Sequence, residues 1–416
     1  MPRRILMIAY HYPPVRGSSG IQRTLKFSAY LREHGWDPMI LTISPRAYEL
    51  TSEDQLAEIP KDMVVERAFG LDTSRHLAIG GRYLRVMAQP DRWVTWFPAG
   101  VWRGMSMIRR YRPEAIMSTF PIATAHLIGL GLQRLSGLPW IADFRDSMTE
   151  PGYPRDPMTW KVQRALEKST VHHCTKALFT TEGTRRMYAE RYPELPESRW
   201  GVIENGFDEQ NFQDAETDLS GDPLGQAGQL TLIHSGILYP QERDPRPFFA
   251  ALRELKDAGD ISAQSLKIVL RATGSDDLYR PMLVEQGLTD IVFLEPTIGY
   301  RTALQEMLRA DGLLLFQASI CNAQIPAKLY EYLRAGRPIL ALTDPVGDTA
   351  GALRASGVSN IVNITDAADI AAGLRHYLSG MRGGALKGVS REIAASHSRR
   401  SRTAELAAIL EAVAPA

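Results

Sequence analysis

Residues 321–342 read CNAQIPAKLYEYLRAGRPILAL. Pro326 suits a first helical position, where its missing N–H costs nothing and its φ is already helical. Leu329, Tyr330 and Leu333 give that helix an apolar stripe at i, i+1 and i+4. Gly336 fits just past the helix end, where the chain needs a positive φ. Pro338 to Leu342 then suits a strand covered on both faces. The start of such a helix presents free N–H groups and a positive dipole end to an anion. Lys328 and Glu331, three apart, share one helix face. One can neutralise a phosphate and the other can grip a diol. Together they suit a nucleotide diphosphate carrying a ribose.

Strand and helix alternate on both sides of this stretch. Strands are predicted at Arg4–Ala9, Met39–Ile43, Ala115–Thr119, Ile141–Ala142, Ala177–Thr180 and Trp200–Ile203, with a helix from Ile21 to His34 ended by Gly35. The polar, Gly-rich stretch 206–228 reads as a linker. Alternation resumes with strands at Leu230–His234, Lys267–Leu270, Ile291–Leu294, Gly312–Phe316 and Pro338–Leu342. Helices are predicted over 246–256, 277–287, 299–309, 326–335 and 366–378. The pattern implies α/β architecture: parallel sheets with helices on both faces, in two doubly wound domains. The expected division is 1–208, a linker at 209–228, 229–388, and a C-terminal segment 389–416 with a helix near 390–413 that could cross back to the first domain.

Composition agrees. A chain of 416 residues, 44% of them apolar, can fill two or three cores. Lys plus Arg is 48 and Asp plus Glu is 47, a balance that argues against a nucleic-acid reader. Cys174 and Cys321 lie far apart, which fits a reducing cytosol and no zinc site. The opening MPRRILMIAYHYPP breaks at His11 and Pro13, too soon for a signal peptide. Residues 115–133 carry no Lys, Arg, Asp or Glu. Pro121, His126 and three hydroxyl residues favour a buried strand and helix there over a membrane span.

The 321–342 stretch resembles the donor-binding helix of the retaining glycosyltransferases of GT-B fold, glycosyltransferase family 4. The likeness is closer to a branch that writes it P-x-K-x-Y-E-Y-L-x-x-G-x-P. In that family the second Glu of an E-x7-E pattern binds the ribose; Glu331 matches it, and Ala323 stands where the first Glu would be. Ile325 and Pro326 fall in the loop before the helix. Further anchors follow in order. YPPVRGSSG before the first helix resembles the family's Gly-rich loop, with Ser19 and Gly20 in the Gly-Gly place, where backbone must approach phosphate. PWIADFRD, residues 139–146, ends a parallel strand where ligands bind in open α/β sheets. Arg145 takes the register of a His that contacts the donor sugar in many members, flanked by Asp143 and Asp146. An Asp–Arg bridge pinning the loop is the alternative reading. VIENGFD, 202–208, matches the N-G-x-D before the interdomain linker and reads as a hinge. IHSGILYPQERDP, 233–245, resembles the loop opening the second domain. Gly236 matches its Gly and Arg243 its later cation, while Ile237 replaces the usual first Arg. A surface bridge to Asp244 or Glu242 is the other reading of Arg243. Leu294, Glu295 and Pro296 fall where the family flanks the nucleobase.

Residues 82–112 hold seven Arg against one acid, Asp91, with Trp93, Trp96 and Trp102 among them. Arg82, Arg85, Trp93, Trp96, Arg103, Arg109 and Arg110 are candidates for an anionic membrane surface or a lipid acceptor. An ordinary solvated helix face with tryptophans in the core is the equal alternative.

The resemblance implies two Rossmann-like domains facing across a cleft. It implies a retaining, metal-independent glycosyltransferase, with UDP-sugar the first candidate for donor and a glycan or lipid-linked acceptor. Such an enzyme would serve cell-surface polysaccharide or glycolipid synthesis. Arg243, Lys328, Arg145 and Asp143 are the expected catalytic group. No cofactor, metal or nucleic acid is expected. The expected location is cytoplasmic, with a peripheral place on the inner membrane face as a further option. A 2-epimerase type of nucleotide-sugar enzyme and a catalytically silent GT-B module remain as alternatives.

Overall fold

The computed structural model describes residues 2–16, 20–53, 55–219 and 224–414. The chain divides into two compact units, Met1–Asn205 with Arg399–Ala416, and Gly206–Ser398. Each is a parallel sheet between helical layers.

In the first unit the strands are β1 (Arg3–Ile8), β2 (Trp36–Ile43), β3 (Val64–Ala68), β4 (Ala115–Thr119), β5 (Trp140–Arg145), β6 (Lys176–Phe179) and β7 (Trp200–Val202). They lie in the order β3-β2-β1-β4-β5-β6-β7. Alternate residues build opposite cores, as the two-residue period of a strand requires. Leu6 and Ile8 face one cluster, Ile5 and Met7 the other. In the second unit β8 (Leu230–Ser235), β9 (Leu266–Arg271), β10 (Val292–Glu295), β11 (Gly312–Gln317), β12 (Ile339–Thr343) and β13 (Ile361–Val362) lie in the order β10-β9-β8-β11-β12-β13. Leu314 and Phe316 serve one core there, Leu313 and Leu315 the other. Both sheets reverse direction of winding at one point, between β1 and β4 and between β8 and β11. In open parallel sheets that point is where a crevice opens beyond the carboxyl ends of the strands.

The stretch read as a linker is partly helical. Helix Glu209–Thr217 starts at Asp208, whose carboxylate accepts the Asn211 N–H at 3.2 Å. Phe212 and Ala215 are buried, and Arg334 clasps Glu209 through two bonds of 2.7 Å and Glu216 through one of 2.9 Å. Its polar composition hid it, because one apolar face and an arginine clamp are enough to dock it. The C-terminal segment is two helices, not one. Arg391–Ala395 belongs to the second unit, and Arg399–Val413 packs Leu406 and Leu410 into the first.

The charge-free stretch 115–133 forms β4 and most of helix Ala123–Ser136. No helix among the described residues is long and apolar enough to cross a membrane. Residues 96–111 form a helix whose Gly100 and Gly104 let it approach helix Ala123–Ser136 closely; a Cβ on either would meet Ile128 or Leu132 at 2.6 Å. The tryptophans of this region divide. Trp96 is fully buried, Trp93 stacks tilted on Tyr10 with ring centroids 4.5 Å apart, and Trp102 is exposed. Asp91 faces inward, accepting the Thr124 N–H at 2.7 Å and its hydroxyl at 2.8 Å, and so caps helix Ala123–Ser136. Arg85 pairs with Asp156, and Arg103 lies 3.6 Å from Glu66. Arg82, Arg109 and Arg110 are exposed, and so are Ile79, Leu84 and Val86.

Candidate active site

The carboxyl ends of β8 and β11 bring together residues that are far apart in sequence. Beyond β8 the chain turns at Gly236, with φ of 124°, a conformation L side chains rarely adopt. A Cβ there would lie 2.5 Å from Lys328 Nζ. Glycine at this position therefore lets the lysine lie flat against the loop. Lys328 opens helix Lys328–Ala335, closed by Gly336 at φ 66°. The helix begins two residues later than Pro326, because the first turn closes i→i+3: Leu329 N–H donates to the Pro326 carbonyl at 2.9 Å.

Lys328 Nζ lies 3.2 Å from His234 Nε2. His234, at the end of β8, has Nδ1 2.9 Å from the Leu314 carbonyl. A carbonyl only accepts, so Nδ1 carries the proton and Nε2 accepts from the lysine. Burial, then Lys328, holds the imidazole well below its ordinary range, so it stays neutral. Lys328 is itself pulled down to about 7, first by burial and then by Arg243, with Glu331 opposing. Among the described residues Arg243 bonds only neutral groups, the Ile237 carbonyl at 2.9 Å and Gln317 Oε1 at 3.4 Å, with its guanidinium 5.5 Å over the Tyr239 ring. The surface bridge to Asp244, the other reading of Arg243, is absent among the described residues, and Asp244 is held instead by Arg246. Two cations thus converge where no protein carboxylate pairs with either among the described residues. Glu331, one turn on, accepts the Tyr300 hydroxyl at 2.7 Å.

Leu294 and Glu295 end β10, and the Pro296 carbonyl accepts Arg271 Nη1 at 2.8 Å. Arg271 is also clasped by Glu306, both bonds at 2.5 Å. Ile325 packs on the core of this unit beside the buried Pro326. Ala323 stands in the turn before the helix, and Ile237 is exposed.

In the first unit, Asp143 is fully buried in β5. Its oxygens accept Arg23 Nε at 3.0 Å and Nη2 at 2.9 Å, and Thr119 Oγ1 at 3.2 Å. Arg23 also donates to the Glu204 carbonyl at 3.0 Å. This geometry departs from the expected catalytic contact: the carboxylate is consumed in tying helix α1 (Gly20–Tyr30) to the sheet. Arg145 ends β5 with φ of 60° and is buried; one long bond, 3.5 Å, reaches the Phe120 carbonyl. The bridge weighed for Arg145 and its flanking aspartates does not form. Gly20 is the first residue of α1, and Ser19 lies outside the described residues.

Several site residues escaped the sequence. Arg23 sits in a helix whose first nine residues are all buried, so a charge there needed a partner, but the sequence did not say which. His234 closes an apolar strand just before Gly236, a signal that was available. Tyr300 carried none.

Residues 19–206 match the family described as glycosyl transferase 4-like domain. No curated sequence matches the chain. Among solved structures the chain is similar to HepE from Anabaena in complex with UDP and glucose, at TM-score 0.67 and 12% identity over 99% of this chain and 100% of that one. It is similar to WaaG, a glycosyltransferase involved in lipopolysaccharide biosynthesis, at TM-score 0.64 and 12% identity over 99% and 100%. It is also similar to UDP-GlcNAc 2-epimerase from Neisseria meningitidis, at TM-score 0.58 and 11% identity over 98% and 99%. Two parallel-sheet Rossmann-like units, matched over their whole length by these structures, make this a protein of GT-B fold, whose residues 19–206 are similar to the glycosyl transferase 4-like domain.

Proposed function

We propose that the protein is a retaining, metal-independent glycosyltransferase that takes a nucleoside diphosphate sugar in its second unit. The observation that carries this reading is the meeting of Arg243, Lys328 and a helix start around Gly236, with no carboxylate pairing either cation among the described residues. A leaving diphosphate gains charge as the glycosidic bond breaks, and preorganised cations stabilise it most at that moment. Guanidinium and ammonium here take the place a divalent cation would otherwise fill. Glu331 suits the ribose hydroxyls, and the base would lie by Leu294 to Pro296. UDP is the first candidate for the nucleotide, with uracil as its base, since HepE is described in complex with UDP and glucose. The first unit takes the acceptor, a glycan or a lipid-linked sugar of the kind used for cell-surface polymers. A front-face mechanism needs no protein base, because the departing phosphate oxygen can take the acceptor proton.

The reading is tested with purified protein and a panel of nucleotide sugars. Release of free nucleoside diphosphate, with the sugar recovered unchanged in configuration at C2, supports transfer. Epimerised sugar would favour the second reading, a 2-epimerase, which the fold shares with the Neisseria enzyme. No release and no thermal shift with any nucleotide would leave a silent binding module.

Alanine at Lys328 or at Arg243 should lower kcat about 100-fold or more while changing donor KM by much less, because the lost contact strengthens in the transition state. An effect confined to KM would make that residue a binding group only. Wild-type turnover would remove it from the site.

The arginines left exposed, with Leu84, Val86 and Trp102, suit contact with anionic lipid on the inner membrane face, each Arg contributing on the order of 1 kcal/mol near such a surface. Arg82, Arg109 and Arg110 changed together to Gln should abolish flotation with phosphatidylglycerol vesicles and leave nucleotide affinity intact. Equal flotation on neutral vesicles would rule the electrostatic contact out.

A further inference from the structure

His234 stands where β8 parts from β11. The backbone pairing of the two strands runs through Leu232 and Ile233 and goes no further. From there the imidazole continues the link, with Nδ1–H donating to the Leu314 carbonyl at 2.9 Å. The ring is fully buried and stands edge-on to Phe316, with centroids 5.1 Å apart. Its tautomer is thus fixed from behind, and Nε2 is left to accept. A purely structural histidine would be complete with the Leu314 bond. The second nitrogen instead holds Lys328 Nζ at 3.2 Å.

The charges that face this lysine come from two places. Arg243, in the loop after β8, opposes its charge, and Glu331, on its own helix, favours it more weakly. Glu331 accepts the Tyr300 hydroxyl and makes no ion pair with the lysine among the described residues. Tyr332, the other titratable group nearby, accepts the Ser235 N–H at 2.9 Å, and burial holds its phenol well up, so it stays neutral. Arg243 also acts on His234, as do the Leu314 and Gly236 backbones. An amine taken from water beside a guanidinium gives up its proton easily. Burial and Arg243 bring Lys328 down to about 7. A diphosphate would supply the anion that both cations face without, and an opposite charge at that distance draws the proton back.

We propose that His234 is a positioning residue for Lys328 in the proposed transfer, and that the lysine takes up one proton from solvent as the donor diphosphate binds. The inference rests on the donor site proposed above. A neutral acceptor fixes Nζ against Gly236 without settling its charge, whereas a carboxylate in that place would neutralise the cation before the donor arrived. The proton goes to the Lys328 amine alone. His234 keeps Nδ1–H on Leu314 and its Nε2 lone pair on the lysine. Binding raises the lysine above its free value of about 7, so affinity is highest below pH 7 and falls by up to about tenfold for each pH unit above it.

Calorimetric titration of the full chain with UDP, GDP, ADP and dTDP, repeated in buffers of different ionisation enthalpy, counts the protons. At pH 8 the terminal phosphate of each probe is already ionised, its pKa being about 6. The nucleotide that binds tightest should take up about 0.9 proton at pH 8, and Lys328→Met should take up none. His234→Asn separates positioning from packing. Its amide N–H can serve the Leu314 carbonyl as Nδ1 does, but it offers the lysine no acceptor. The variant should therefore melt like wild type, with the midpoint of its affinity profile moved below pH 7. Its release of nucleoside diphosphate from the matching nucleotide sugar should slow at least tenfold. His234→Gln, with an acceptor near the place of Nε2, should recover part of that rate. Wild-type turnover and an unshifted pH profile in His234→Asn would overturn the positioning role. Binding without proton uptake, or uptake that persists in Lys328→Met, would overturn the proton coupling. Either result, with tight nucleotide binding, leaves the donor site standing. A chain that binds none of the four nucleotides loses the donor site and this inference with it.

Discussion

Glu331→Ala is expected to weaken nucleotide binding by about 30- to 1000-fold, the equivalent of roughly 2–4 kcal/mol for a carboxylate that accepts two ribose hydroxyls. The structure supplies what the sequence pattern lacked, a partner that fixes the carboxylate: Tyr300 donates to Oε1 at 2.7 Å from another helix. Preorganisation of this kind spares the cost of ordering a long side chain on binding. Tyr300→Phe should therefore cost a smaller amount, about 1 kcal/mol or fivefold. Glu331 is only partly buried, so both variants should fold. Calorimetric titration with UDP, GDP, ADP and dTDP measures the effect and identifies the base. Unchanged affinity in Glu331→Ala would mean that helix Lys328–Ala335 does not bind the donor.

The parts of this protein that could be read from the sequence are those where one physical demand dominates. Gly336 was legible because a positive φ past a helix end admits few residues, and it has one; Gly236, placed by the family pattern, has one too. The central strands β1, β4, β8, β11 and β12 were legible because burial on both faces leaves an unbroken apolar run. Two of the four edge strands, β7 and β10, were legible as well, but β3 and β13 were not: β3, spelled VVERA, is mostly half-buried, and β13 is two residues long. Helix Trp96–Tyr111 was hidden by its glycines, which look like helix breakers but serve close packing on Ile128 and Leu132. Candidate site residues divide in the same way. Lys328, Glu331 and Arg243 stand in a local pattern, whereas Arg23, His234 and Tyr300 act through partners between 31 and 181 residues away. Pairing at that range is set by topology, and no local spacing encodes it.

Glu167→Ala is expected to be the most destabilising single change in the first unit. The carboxylate is fully buried in helix Pro157–His173 and gathers six donors. Oε2 accepts the Thr149 N–H at 3.2 Å, the Thr149 hydroxyl at 2.8 Å and the Tyr188 hydroxyl at 2.9 Å. Oε1 accepts Arg164 at 2.7 Å, Arg191 at 2.9 Å and the Tyr192 hydroxyl at 2.7 Å. Two half-buried arginines and two buried phenols would lose their common acceptor at once. Breaking a buried charge network in this way costs about 3–5 kcal/mol. For a unit of this size that lowers the unfolding temperature by roughly 6–20 °C. The change reaches the site through chain connectivity. Thr149 and Met148, whose N–H donates to Tyr188 at 2.9 Å, anchor the loop that leaves β5 directly after Arg145 and Asp146. With the anchor gone, acceptor KM should rise, while nucleotide affinity, proposed above to lie in the second unit, should stay at its wild-type value. Glu167→Gln keeps the volume and one acceptor oxygen, so it should fall between the two. Differential scanning calorimetry, read on the transition of the first unit, separates these cases. A variant as stable as wild type would show that the six bonds at Glu167 merely repay the cost of burying its charge.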